Sequence, residues 1–144
     1  MSDTAKQPAA PKPGDENFVG GVAAYIHPSD ANAAAEFYER AFGAKVIAKM
    51  QADDGKRLMH CHLLINGGPL LMSDSFPEHG FPVQTPQAFQ LHLQVDDPLG
   101  WWERAVSAGC TVVFPIKQEF WGEHFGLLKD PFGISWTIGG MAKA

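Results

Sequence analysis

Apolar and polar positions follow two rhythms along the chain, each met twice. FVGGVAAYI, Phe18 to Ile26, is short and apolar and predicts a strand. HPSDANAAAEFYERAFG follows, with Ala34, Phe37, Tyr38 and Ala41 at helical spacing, Asp30 as N-cap and Gly43 as the stop. AKVIAKM, LMHCHLLI and LLMSDS read as three strands, separated by a turn at Asp54-Gly55 and by NGGP. FPEHGFPVQTPQ then collects turn formers, and the order returns. AFQLHLQV is a strand. DDPLGWWERAVSAG is a helix capped by Asp96 or Asp97 and stopped by Gly109. CTVVFPI, HFGLLK and ISWTIGG are strands, the last two around DPFG.

The recurrence is numerical. Asp30 to Asp96 and Gly43 to Gly109 are both 66 positions, and Asn66 to Asp130 and Ser73 to Thr137 are both 64. These offsets predict two copies of one βαβββ module, at 18–75 and 87–140, with a linker over 76–86. Residues 1–17 are rich in Pro, Ala and Lys, and a disordered tail is predicted there.

Composition narrows the function classes. The 144 residues are 45% apolar, enough for a packed core, and carry a formal charge of −5. Nucleic-acid binders need a basic face, and no Lys/Arg cluster supplies one. No apolar run approaches a membrane span, and the start has no secretory h-region, so a cytoplasmic protein is expected. Cys61 and Cys110 lie in apolar segments and read as buried thiols.

Three strings carry a family resemblance: AAAEFYERAFGAKVI, GGPLLMSDS and EFWGEHFGLLKDPFGISWTI. Over nearly all of residues 18–140 the chain resembles the vicinal oxygen chelate (glyoxalase/bleomycin-resistance) superfamily, in its PhnB-like branch. The resemblance implies an α+β fold, with two tandem βαβββ modules forming curled mixed sheets around a cleft and helices on the outer face. It also implies a homodimer, and the linker around Phe81–Thr85 would suit an exchange of modules. Function is left open, because the superfamily includes isomerases, thiol transferases, dioxygenases and drug-binding proteins. Some branch members carry labels implying DNA binding or demethylubiquinone methyl transfer, and this chain supports neither.

Metal-dependent members of that family place ligands, usually His and Glu, on the first and last strands of each module. The family pattern puts the first-strand positions at Ala24 and Gln90 and the last-strand positions at Ser73 and Thr137. Ala has no ligand atom, and hydroxyls and amides bind transition metals poorly. The family's usual metal site is therefore expected to be absent, and no cofactor is predicted.

Strand alternation supplies the remaining candidates. A four-residue NGGP turn pairs His62 with Ser73 and puts His60, His62, Leu64, Leu71 and Ser73 on the cleft face. A four-residue DPFG turn pairs Lys129 with Ile134 and puts His124, Gly126 and Leu128 on the Thr137 face. Gln90, His92 and Gln94 join them. Phe120 and Trp121 read either as rim aromatics or as packing residues, and Glu119 and Glu123 either as acids or as solvated carboxylates. The expected ligand-binding set is His60, His62, Ser73, Gln90, His92, Trp121, His124 and Thr137. No catalytic residue is assigned. Three readings are open: a protein binding a small organic molecule, an enzyme with a relocated metal on His60, His62 and His92 or His124, and a metal-free enzyme assisted by His.

Overall fold

The computed structural model describes residues 10–142. Of the expected tail, residues 1–9 lie outside this range, and 10–17 hold only turns. The elements are β1 (Ala24–Ile26), α1 (Ala31–Phe42), β2 (Lys45–Gln51), β3 (Leu58–Ile65), β4 (Gly68–Met72), β5 (Leu91–Gln94), α2 (Pro98–Ala108), β6 (Thr111–Gln118), β7 (His124–Lys129) and β8 (Ser135–Gly140). This is βαβββ twice. Each module forms one four-stranded mixed sheet, ordered β1-β4-β3-β2 and β5-β8-β7-β6. In each, the first strand runs parallel to the last and the other pairs are antiparallel. No helix among the described residues is long and apolar enough to cross a membrane.

The chain divides into two compact units. The first takes residues up to Glu36 and Ala44–Gln84; the second takes Phe37–Gly43 and everything from Thr85. Helix α1 thus contributes to both. Its start is tied into the first unit, where the Asp30 side chain accepts from Ala33 N at 3.0 Å and Asp74 Oδ1 accepts from Ala31 N at 2.9 Å. The other oxygen of Asp74 accepts from Leu58 N at 2.6 Å, so one buried carboxyl joins the helix start to the start of β3. The latter half of α1 packs in the second unit. There Phe42 lies 4.5 Å and Tyr38 5.3 Å from the Trp136 ring. Arg104 of α2 donates to the carbonyls of Arg40 and Glu39 at the end of α1, the second of which also accepts from Gly43 N. Asp97, not Asp96, caps α2.

The segment expected as a linker has structure of its own. Phe76 and Phe81 exchange two backbone hydrogen bonds, at 2.8 and 3.0 Å, around a short 3-10 turn, Pro77–His79. The expected strand at Phe18–Ile26 shrinks to Ala24–Ile26. Gly21 sits at φ +85°, a left-handed conformation that breaks a strand, and Val22 is fully exposed.

Both hairpin registers differ from expectation, with different consequences. The first turn has two residues, Asn66 and Gly67, both at positive φ as a type I′ turn requires. His62 pairs with Leu71 instead of Ser73. The shift is two residues, so His60, His62, Leu71 and Ser73 still share a face.

The second hairpin shifts by one. Lys129 pairs with Ser135, and Leu127, not Gly126, lies opposite Thr137. Every side chain of β7 therefore turns over. His124, Gly126 and Leu128 share the face of Trp136 and Ile138, while Phe125 and Leu127 share that of Thr137. The cause is Asp130. Its Oδ1 accepts from Phe132 N and Ile134 N, and its own N–H donates to Ile134 O, closing a five-residue loop. Gly126 confirms the face: a Cβ there would lie 2.5 Å from the Trp102 ring of α2.

Oδ2 of the same buried carboxyl accepts from Tyr38 Oη at 2.6 Å and Trp136 Nε1 at 2.9 Å. Burial, reinforced by Asp130, holds the Tyr38 phenol well above its ordinary range, so it stays a donor. Asp130→Ala leaves two buried side-chain donors and two loop amides without their acceptor. A loss of about 3–5 kcal/mol in urea unfolding is expected, against about 1–2 kcal/mol for Tyr38→Phe.

Candidate functional site

The expected site residues fall in both units. His60, His62 and Ser73 lie in the first; Gln90, His92, Trp121, His124 and Thr137 lie in the second.

In the first unit, β1 pairs with β4 so that Tyr25 lies beside Leu71 on the face of His60 and His62. The chain leaves β1 at His27, and Ser73 N donates to Ile26 O, which brings His27 beside Ser73. Nδ1 of His27 and Oγ of Ser73 are 3.0 Å apart. Tyr25 Oη lies 3.4 Å from His60 Nδ1, and its ring lies 5.4 Å from that of His27. Tyr25, His27 and Ser73 border a cavity of about 730 Å³ that Phe76, Phe81, His79 and Met59 also line, while His60 and His62 are not part of its wall. Arg57, also in the wall, is held by carboxyls on two sides, donating from Nε to Asp54 and from its other nitrogens to Glu78. Its guanidinium lies 4.3 Å from the Phe76 ring centre. The Arg57 amide and side chain and the Lys56 amide hold Asp54 at about 2, and Arg57 holds Glu78 at about 2, so both stay ionised.

In the second unit the parallel ladder places His92 beside Thr137. Thr137 Oγ1 lies 2.7 Å from His92 Nδ1, and His92 Nε2 lies 2.8 Å from Gln94 Oε1. Gln94 Nε2 donates to Glu123 at 2.7 Å, and Trp121 Nε1 donates to the other oxygen of Glu123 at 3.1 Å. The direction of this chain is set by its acidic end. Glu123 accepts from the Gln94 amide, which turns Oε1 toward His92. His92 Nε2–H then donates, and the neutral ring accepts the Thr137 hydroxyl at Nδ1. Phe125 stacks against His92 at 6.0 Å.

Gln90 precedes β5 and is exposed. His124 faces away from Thr137, a correction of its expected placement that follows from the one-residue slip. His27, Tyr25 and Arg57 lie outside the expected set. His27 opens the string that leads into α1, and its spacing of 65 to His92 falls between the helix and hairpin offsets. Cys110 is a core group whose thiol burial pushes up to about 12.

The last-strand hydroxyls, Ser73 and Thr137, are both engaged with a histidine. Among the described residues no group of three or more His, Cys, Asp or Glu is placed to hold a metal ion. The donor set thus does not fit a transition metal.

Three comparisons bear on this geometry. The family model of the Glyoxalase/Bleomycin resistance protein/Dioxygenase superfamily matches residues 22–138. The uncharacterized protein Rv0887c of Mycobacterium tuberculosis is 33% identical over 129 residues, covering 85% of this chain and 75% of its own. Protein PA1353 from Pseudomonas aeruginosa has a similar structure, with a TM-score of 0.72 and 24% identity over 87% of this chain and 100% of that one. A PhnB protein from Bacillus cereus gives 0.66 and 18%, over 84% and 99%. At such identities the structural likenesses speak for the fold alone.

His62 generates a pH prediction. It is 8% exposed, and its Nε2 has no hydrogen-bond partner among the described residues. Burial, and then the neighbouring His60, lower its pKa from 6.5. The unfolded chain therefore binds the proton more readily, and stability is complete above pH 6.5 and falls as the pH drops through the depressed folded value. Urea unfolding between pH 8 and pH 5 should show this loss, and His62→Gln should flatten it.

Proposed function

The chain belongs to the glyoxalase/bleomycin resistance protein/dioxygenase superfamily, and from that premise we propose that it binds a small organic molecule in the cavity of the first unit without a metal. The observation that carries this reading is the cavity wall. A volume of about 730 Å³ lies in the range of ligand pockets. Aromatic rings from Tyr25, Phe76 and Phe81 offer flat apolar surface, and His27 and Ser73 add a fixed polar point. The last-strand positions that carry metal ligands in the family's metal-dependent members hold hydroxyls here, which favours sequestration over metal-assisted chemistry.

The test uses N-phenyl-1-naphthylamine, a flat uncharged probe that brightens in apolar surroundings. Saturable binding is expected, unchanged by EDTA. Phe81→Asp, at a side chain already 66% exposed, should weaken it by about 10-fold without unfolding the protein. Binding that vanishes in EDTA, with a metal retained by the purified protein and lost in His60→Ala, would overturn this reading for the relocated-metal enzyme.

The homodimer is part of the same proposal. Strand β6 ends its sheet and exposes Val112, Val113 and Phe114. Sedimentation at twice the chain mass, reduced to the chain mass in Phe114→Asp, is the expected outcome.

A further inference from the structure

We infer that the first unit's cavity selects a ligand that donates a hydrogen bond to Nε2 of His27; this rests on reading that cavity as the binding site. The argument follows one proton. A serine hydroxyl has a single hydrogen. That of Ser73 is directed to the carbonyl oxygen of Asp74 at 3.1 Å. With the hydroxyl directed there, the oxygen offers His27 only a lone pair, and the 3.0 Å contact is then Nδ1–H of His27 donating to Ser73 Oγ. A neutral imidazole carries one N–H, so the proton is used and Nε2 holds a lone pair. His27 is exposed and lines the cavity, and Nε2 has no hydrogen-bond partner among the described residues.

Of the other polar groups of the wall, Asp74, Arg57 and Tyr25 are already engaged, while Asp53 and His79 are exposed to solvent. Both oxygens of Asp74 accept backbone amides, and Arg57 is committed to Asp54, Glu78 and the Ser75 carbonyl. Tyr25 Oη lies toward His60. Four carboxyls, those of Asp53, Asp54, Asp74 and Glu78, line the cavity against one guanidinium, which disfavours an anion. The ligand class is an uncharged or cationic aromatic compound with a hydroxyl or N–H donor. A compound of the same shape without that donor strips water from Nε2 and returns nothing.

The experiment compares 2-naphthol with 2-methoxynaphthalene by calorimetry at pH 7.5, on the wild-type protein, His27→Phe and Ser73→Ala. The wild type should prefer the naphthol by about 10-fold. His27→Phe keeps a flat ring and removes the acceptor, so the preference should vanish while methoxynaphthalene still binds, showing the cavity intact. Ser73→Ala releases the tautomer and should narrow the preference. Equal binding of both compounds by the wild type, or a preference that survives in His27→Phe, overturns the inference and leaves the binding site standing. If His27→Phe binds neither compound, Ser73→Ala decides, and a full preference there overturns the inference. Failure of the wild type to bind either compound overturns the binding site and the inference together.

Discussion

One buried carboxyl with four donors aimed at it sets the geometry of the second module. Asp130 accepts two amides of its own loop on Oδ1, and the Tyr38 hydroxyl and Trp136 indole on Oδ2. The first pair closes five residues where local turn chemistry would close four. The second pair orients Trp136 toward the latter half of α1, which decides the face of every residue on β8. β7 must follow. Gly126 comes to lie against the Trp102 ring, where no side chain fits, and Phe125 is sent to the side of His92 and Thr137. A group 92 residues away from Tyr38 in sequence thus determines which residues stand beside His92 and Thr137.

This explains what could be read without a structure. The module order and both helix stops were legible because caps and glycines act locally: Asp30 and Gly43 need only their own neighbours to end a helix. The first hairpin differs from the expected register by two, and a two-residue difference preserves the faces of a strand, so His60 and His62 still share the face of Leu71. The second differs by one, and that turns His124 away from Thr137. Nothing in the local string distinguishes a four-residue from a five-residue loop. The distinction lies in the tertiary partners of Asp130, and local patterning carries no information about them.

Strand faces were legible to the same degree. The shared face of His92, Gln94 and Thr137 follows from alternation within strands. His27 has no such signal, because it sits past the end of β1, where periodicity stops. Arg57 and Phe76 lie in loop segments whose contact is a tertiary one, a guanidinium over a ring at 4.3 Å. Loop residues of this kind are reached by three-dimensional proximity, and alternation says nothing about them.

The duplicated module repeats a histidine beside a last-strand hydroxyl, yet the two pairs are polarised in opposite directions. Ser73 spends its proton on the Asp74 carbonyl, so His27 must donate from Nδ1 and keeps a lone pair at Nε2. Thr137 meets a ring whose Nε2–H is claimed by Gln94, itself oriented by Glu123, so the hydroxyl donates to Nδ1 and both nitrogens are satisfied within the protein. The difference does not lie in the histidines. It lies in their partners: a backbone carbonyl within reach of one hydroxyl, and an amide–carboxylate relay within reach of the other ring. Two copies of one module have thus reached different chemical states, one with a nitrogen left for a ligand and the other closed on itself.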